Sequence, residues 1–137
     1  MKMKVLEGGF PLKKGRPNDA GFDVFLPEDF TIQPLETIVI GAKVCLQLDH
    51  GYAARAVIRS SISKTGLFVR DPLIDETYRG EIHLMCLNCS KEPLSFKRGE
   101  RLCSIVVFPV NNSEIELVDE LDENTERGIA WSGSSGK

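Results

Sequence analysis

The chain contains the stretch Glu81-Ile82-His83-Leu84-Met85-Cys86-Leu87, in which two kinds of side chain alternate. One set of alternate positions is apolar throughout: Ile82, Leu84 and Cys86. The other set holds Glu81, His83 and Met85. A period of two residues is typical of a β-strand with one buried face, because successive side chains point to opposite faces of a sheet. The stretch therefore predicts a strand, with His83 at a surface or interface rather than acting as a catalytic base.

Similar short apolar runs occur on both sides of this strand along the sequence. Runs rich in Val, Ile, Leu and Phe, bounded by Gly, Pro and Asp, predict strands at 22–25, 30–32, 36–40, 44–48, 52–58, 101–109 and 114–118. Helix signals are scarce, and the clearest is one or two turns after Arg59, with Ser60 as N-cap and Gly66 at the end. We expect an all-β fold, a distorted jelly-roll β-barrel of about eight or more short strands around one core.

The size and charge of the chain narrow its function class. With 137 residues it is long enough to bury a core as one domain. Its net charge of −3 argues against a broad basic surface for nucleic acid, and no apolar run reaches the roughly 18 residues of a membrane span. The amino end reaches Glu7-Gly8-Gly9 before an apolar signal core can form. We expect a cytoplasmic protein, of cellular, viral or phage source, that binds neither nucleic acid nor membrane.

The four cysteines fit a reducing compartment. Cys45, Cys86 and Cys103 lie in apolar strand-like runs, where a thiol behaves as a small hydrophobe. Cys86 and Cys89 form a CxxC pair, but side chains three residues apart on a strand point to opposite faces. Because no second pair accompanies this one, a structural role is favoured over a metal or redox role.

The composition changes near the carboxyl end. Residues 119–126 are acidic, and residues 128–137 are mostly small and rich in Gly and Ser. Such a segment carries too few apolar side chains to form a packed core. We expect a barrel domain over 1–120 and a flexible arm over 121–137.

Five separated segments carry side chains suited to chemistry, at 20–24, 59–66, 71–81, 97–102 and 127–137. In the third, Asp75 follows the apolar pair Leu73-Ile74, so a strand would hold its carboxylate on a rigid base. Tyr78 would then offer a flat wall to a heterocyclic ligand. The alternative for this segment alone is an ordinary hairpin, in which Asp75 caps the turn and Tyr78 packs on a neighbouring strand.

Three other segments point to anion or metal binding. Arg59-Ser60-Ser61 offers a phosphate a guanidinium, two hydroxyls and the N–H groups of a helix start, and it is equally compatible with a capped short helix. Arg127 and the only tryptophan, Trp131, lie on the arm, which predicts a lid over a bound anion or base. Asp23 either faces a metal-bound water or caps a turn.

In order and spacing, the five segments resemble the five motifs of the trimeric dUTP pyrophosphatase (dUTPase) family, and the resemblance covers nearly the whole chain. Its most specific parts are residues 73–81 and the combination of Arg59-Ser60-Ser61 with the late Arg127-Gly128 and Gly133-Ser134-Ser135-Gly136. The resemblance implies hydrolysis of dUTP to dUMP and pyrophosphate. By this resemblance, water attacks the α-phosphorus while Mg2+ is bound to the triphosphate. The hydrolysis would keep uracil out of DNA and supply dUMP for dTMP synthesis.

The resemblance also assigns roles to individual residues. Asp75 matches the carboxylate that orients and deprotonates the water, and Tyr78 matches the ring under the deoxyribose that excludes a 2′-OH. Asp23 matches the aspartate near the water shell of the metal. The residues that match substrate-binding positions are Arg59, Ser60, Ser61, Arg127, Trp131, Ser134 and Ser135. The family assembles its sites between the subunits of a homotrimer, so the resemblance implies a homotrimer with shared sites.

Two alternatives stay open beside this interpretation. The first is a dCTP deaminase or bifunctional enzyme of the same fold, disfavoured because Met85 stands at the position of the catalytic glutamate and a thioether cannot shuttle protons. The second is a non-catalytic protein-binding module, disfavoured because Asp75, Tyr78 and Arg127 are all present. The chain departs from the family pattern at four positions that bear on hairpin shape and lid closure: Pro72, Thr77, Ser104 and Trp131.

Overall fold

The computed structural model describes residues 1–122, 124 and 125, and this part of the chain is built mainly from β-strands. The strands are β1 (Lys2–Val5), β2 (Gly21–Phe25), β3 (Phe30–Ile32), β4 (Thr37–Gln47), β5 (Tyr52–Ile58), β6 (Leu67–Val69), β7 (Leu73–Ile74), β8 (Glu81–Asn88), β9 (Leu94–Phe96) and β10 (Arg101–Pro109). One short helix, α1 (Ser60–Ser63), follows β5. No helix in the described residues is long and apolar enough to cross a membrane.

The strands form two four-stranded antiparallel sheets, ordered β1-β4-β8-β6 and β2-β10-β5-β7, and a two-stranded ribbon β3-β9. The inner faces of the sheets enclose one apolar cluster. The expected jelly-roll-like all-β fold is confirmed. Closure into a barrel is not observed among the described strands. β6 and β7 follow each other along the chain, but they are edge strands of different sheets and do not pair.

Strand β8 is the central strand predicted from its alternation. Its even-numbered side chains are buried, and His83 is exposed as expected. The last of the buried side chains is polar, and Asn88 donates from Nδ2 to the Ile32 carbonyl at 3.0 Å and to the Glu92 carbonyl at 2.8 Å. Its Oδ1 accepts from the Ser90 amide at 2.9 Å. A buried amide satisfied in this way ties the end of β8 to the β3-β9 ribbon.

A bulge in β4 joins two strands that the sequence predicts as separate. The register against β8 shifts between Gly41 and Cys45, and Lys43 adopts a φ of 55°. The Lys43 amide, freed from the ladder, donates to Glu81 Oε1 at 2.8 Å. A Cβ at Gly41 would collide with the Glu81 carboxylate, so a side chain there would displace this carboxylate from its contact with the Lys43 amide. The contact fixes the start of β8, where the Asp75 turn ends.

Three expectations need correction or completion. The strand expected at 114–118 is not formed within the described residues, and Ile115 and Leu117 are 98% and 97% exposed. The N-cap of α1 is Arg59 rather than Ser60, because Arg59 keeps an extended backbone while its carbonyl accepts from the amides of the first turn. Strands β1, β6 and β9 were not predicted, and β7 is the strand that was expected to lead into Asp75.

The cysteines behave as small apolar side chains. Cys86 and Cys103 are buried, Cys45 is partly buried, and Cys89, one residue beyond the end of β8, is exposed. Burial raises the pKa of the Cys86 thiol to about 11. Of the arm expected at 121–137, only residues 121, 122, 124 and 125 are described, so the proposed domain division stays a prediction.

Candidate active site

An open cleft of about 750 Å³ lies where β2, β5 and β10 meet the start of α1. We call it the arginine cleft, and the residues that give it its chemistry are Asp23, Arg59, Ser60, Ser61, Arg101 and Ser104. Four of these were expected to act on substrate or metal from the sequence. Arg101 and Ser104 were not assigned a role in the site. The structure therefore brings the first, second and fourth of the five segments into one place.

Three polar side chains of this cleft donate hydrogen bonds to Asp23. Its Oδ1 accepts from Arg59 Nη1 at 3.0 Å and from Ser104 Oγ at 2.9 Å, and its Oδ2 accepts from Arg101 Nη1 at 2.7 Å. Burial alone would raise the pKa of Asp23, but the hydrogen bonds from Ser104 and Arg101 and the charge of Arg59 lower it below its ordinary value. One carboxylate set against two guanidinium groups leaves a net positive charge that suits a phosphate.

The sheet register explains why these side chains converge. Strand β10 places Ser104 opposite Asp23 of β2, and Cys103 opposite Ile58 at the end of β5, just before Arg59. The β2-β10 register shifts between Arg101 and Cys103, and the Arg101 side chain reaches the same carboxylate across this irregularity. The cluster is a product of pairing between distant strands.

The start of α1 offers two hydroxyl groups to the cleft. Ser60 and Ser61 both line it, and neither hydroxyl makes a hydrogen bond within the described chain. The Arg59 amide donates to the Leu102 carbonyl at 3.0 Å, which fixes the turn from which the helix starts. Hydroxyls and a guanidinium on an anchored backbone form the donor set that a phosphate accepts.

A second, smaller cleft of about 190 Å³ holds the other predicted groups, and we call it the Asp75 cleft. Asp75 follows Ile74, which is buried and pairs with Ala54 of β5. The carboxylate is exposed and accepts no hydrogen bond within the described chain. The expected rigid base for this side chain is therefore present in β7.

Tyr78 closes the turn that begins at Asp75. Its amide donates to the Asp75 carbonyl at 3.0 Å, and its hydroxyl donates to the Glu81 carbonyl at 2.8 Å. The ring lies over Gly80, where a Cβ would collide with it. The ring is 42% exposed and lines the Asp75 cleft, so it forms a fixed flat wall there.

Two further residues of the Asp75 cleft come from the outward face of β8. His83 and Met85 line it together with Asp75 and Tyr78. The alternation of β8 places both on one face, but the sequence does not show that the turn lies against that face. His83 is exposed as expected, although its surface is part of a cleft.

The two clefts share no lining residue. Asp23, Arg59, Ser60 and Ser61 lie in one, and Asp75 and Tyr78 in the other. The remaining predicted site residues lie outside the described residues: Arg127, Trp131, Ser134 and Ser135. The predicted site residues among the described residues thus lie in two separate clefts.

The donor sets of these clefts do not form a protein-held metal centre. Within the described residues, no group of three His, Cys, Asp or Glu side chains is placed to hold a metal ion. Both carboxylate oxygens of Asp23 already accept hydrogen bonds from arginine or serine. A magnesium ion here would have to take most of its ligands from a phosphate ligand and from water.

The fold and these clefts define a jelly-roll-like protein with a cleft of net positive charge and a separate carboxylate cleft. A family model described as dUTPase matches residues 11–136. A deoxyuridine 5'-triphosphate nucleotidohydrolase of Nautilia profundicola is 39% identical over 121 residues, which cover 86% of this chain and 84% of that protein. The chain belongs to the dUTPase family.

Solved structures agree with this assignment. The dUTPase of Staphylococcus bacteriophage 80alpha, in a variant form with dUpNHpp, has a TM-score of 0.88 at 25% identity and covers 99% of this chain and 98% of its own. A variant dUTPase from phage phi11 of S. aureus has a TM-score of 0.83 at 21% identity, over 88% of this chain and 97% of its own. That phage protein coordinates a structural Mg(II) ion.

Proposed function

We propose that this chain hydrolyses dUTP to dUMP and pyrophosphate, with Asp75 as the general base that activates water. The reaction class follows from membership of the dUTPase family; the residue roles are our proposal. The observation that supports it best is the exposed Asp75 carboxylate, held at the end of β7 beside the Tyr78 ring. A carboxylate that accepts no hydrogen bond from the described residues is available to accept a proton from water at the α-phosphorus.

Tyr78 sets the sugar preference in this proposal. Its hydroxyl is bound to the Glu81 carbonyl and its amide to the Asp75 carbonyl, so the ring cannot readily move aside. A ring fixed under the sugar leaves no room for a 2′-OH. UTP is therefore rejected by steric exclusion.

The arginine cleft binds the phosphates. Arg59 supplies charge, held in place by Asp23, and the hydroxyls of Ser60 and Ser61 supply further donors. From the arm, we propose that Arg127, Ser134 and Ser135 cover the outer phosphates and that Trp131 stacks on the base. These four assignments rest on the resemblance, since the residues lie outside the described part of the chain.

Mg2+ belongs with the triphosphate in this proposal. It neutralises charge on the phosphate oxygens, and its other ligands are waters. In this proposal, Asp23 contacts the magnesium ion through a water. Its three hydrogen bonds also support a second task, which is to hold Arg59 and Arg101 in place.

A homotrimer with shared sites would unite the two clefts. The two clefts share no lining residue among the described residues of one chain. An Asp75 cleft of one copy that faces an arginine cleft of another would therefore form one complete active site. The exposed apolar residues Ile115 and Leu117 agree with a chain that meets other copies. The free cysteines fit a cytoplasmic location.

The test is pyrophosphate release from dUTP, dCTP, dTTP and UTP in Mg2+, with the nucleotide product identified. We expect release from dUTP and formation of dUMP, and a loss of about 10²–10⁴ in kcat for Asp75→Asn with the fold retained. Glu28→Gln is the matched control, because Glu28 is an exposed carboxylate that lines neither cleft. Full activity of Asp75→Asn would remove the proposed base. Ammonia from dCTP would indicate a deaminase, and no reaction with any nucleotide would indicate a binding module.

A further inference from the structure

Glu76 directs its carboxylate away from the Asp75 cleft and toward the turn between β4 and β5. Its Oε2 accepts from the Gly51 amide at 2.6 Å, and its Oε1 lies 3.1 Å from His50 Nδ1. The side chain is 31% exposed, and it lines neither cleft. Its contacts therefore connect the residue after Asp75 to a part of the chain 25 residues away.

The sheet register leads to this contact. β7 pairs with β5 through Arg55↔Leu73 and Ala54↔Ile74, and the pairing stops there. Continued by two residues, the same register would bring Glu76 beside Tyr52, the neighbour of Gly51. The Glu76 carboxylate thus extends the attachment beyond the last strand pair. Its pKa is lowered by the hydrogen bonds from the Gly51 amide and His50, which favour the charged form.

At the far end of this turn the Tyr78 hydroxyl donates to the Glu81 carbonyl of β8 at 2.8 Å. Apart from this bond and those of the Glu76 carboxylate, the hydrogen bonds of the turn among the described residues lie within it. The Tyr78 amide donates to the Asp75 carbonyl, and Arg79 Nη1 donates to the carbonyls of Glu76 and Tyr78. These bonds shape the turn without fixing it to the rest of the fold. The Glu76 carboxylate provides that attachment on the side next to Asp75.

We infer that Glu76 is a positioning residue that clamps the Asp75 turn to the Asp49–Gly51 turn. The catalytic part of this inference rests on the proposed role of Asp75. A general base must lie within hydrogen-bond reach of its water, and a displacement of about 1 Å can cost about 10²-fold in rate. Glu76 acts on the rate only through Asp75, because it does not itself line the cleft.

The kinetic test compares Glu76→Ala, Glu76→Gln and Glu28→Ala with the wild type. We expect Glu76→Ala to lower kcat by about tenfold to a hundredfold and to change KM by less than about threefold. Glu76→Gln keeps an amide oxygen that can accept from Gly51, so it should recover most of the rate. Glu28→Ala is the control, since Glu28 is an exposed carboxylate outside this turn that lines neither cleft.

A second measurement reads the clamp without using activity. Amide hydrogen exchange of Tyr78, whose N–H donates to the Asp75 carbonyl, reports the order of the turn. We expect exchange at least about tenfold faster in Glu76→Ala, and near the wild-type rate in Glu76→Gln. Unchanged exchange in Glu76→Ala would overturn the inference. Absence of pyrophosphate release by the wild type would instead overturn the proposed function, and the exchange rates would still decide whether Glu76 holds the turn.

Discussion

At the scale of single residues, Asp23 has the largest set of charged contacts in the arginine cleft. Three donors converge on one carboxylate that is 9% exposed. Removal of its charge would leave Arg59 and Arg101 close together without a counter-charge. Asp23 is therefore needed for the shape of the cleft as well as for its chemistry.

The hydrogen bonds and charges around Asp23 make the folded state less stable at low pH than at neutral pH. Because the folded pKa of Asp23 lies below its ordinary value of 3.8, its charge stabilises the fold above about pH 4, and this contribution is lost as pH falls through the folded pKa. We expect Asp23→Asn to lower the free energy of unfolding by about 1–3 kcal/mol at pH 7. The difference from wild type should shrink below pH 4 in denaturant titrations. A difference that stays constant from pH 7 to pH 3 would contradict this account.

The sequence predicts the members of the site better than their contacts. Asp75 and Tyr78 lie within four residues of each other, so a strand followed by a turn is enough to foresee their common cleft. The partners of Asp23 are 36, 78 and 81 residues away along the chain, and only the pairing of β2, β5 and β10 brings them together. Arg101 therefore resembled an ordinary turn charge.

At the scale of elements, β8 could be predicted from its local sequence, whereas the bulge in β4 could not. The strict alternation of β8 predicts its strand and its buried face correctly. The bulge in β4 depends on a cross-strand contact between Gly41 and Glu81, which no local pattern reveals. A bulge of this kind is visible only once the partner strand is known.

The bulge gives a prediction at this scale. Gly41→Ala should push the Glu81 carboxylate away from the Lys43 amide and lower the free energy of unfolding by about 1–3 kcal/mol. In a Glu81→Ala background the collision is absent, so the same substitution should cost less. A double-mutant cycle by denaturant unfolding measures this coupling. Additive effects of the two substitutions would refute the proposed contact.

At the scale of the whole molecule, the separation of the two clefts is the dominant feature. Each cleft carries a part of the chemistry that the proposed reaction needs, and no residue of the described part of the chain lines both. The sequence predicted a division of the site between subunits only through the family resemblance, and this division stays a prediction. The physical separation of the two clefts required the three-dimensional arrangement of both sheets.

Mixed assemblies test whether copies share sites. We expect Asp75→Asn and Arg59→Ala each to be nearly inactive alone. A mixture that has exchanged subunits should regain dUTP hydrolysis, because some sites then combine an intact Asp75 cleft with an intact arginine cleft. Mixing Asp75→Asn with Asp75→Ala is the control and should regain nothing. Exchange demonstrated by native mass spectrometry without recovered activity would place both clefts of a site in one chain.

The burial of the cysteines has a practical consequence for labelling. Burial, together with the nearby Cys86, Asp23 and Asp71, raises the pKa of the Cys103 thiol to about 12, so almost none of it is thiolate at neutral pH. Alkylating reagents attack the thiolate, and they reach an exposed sulfur first. Cys89 is therefore the natural attachment point for a fluorophore. Its amide donates to the Gly66 carbonyl, three residues beyond the end of α1, so a dye there would report from near the end of this helix.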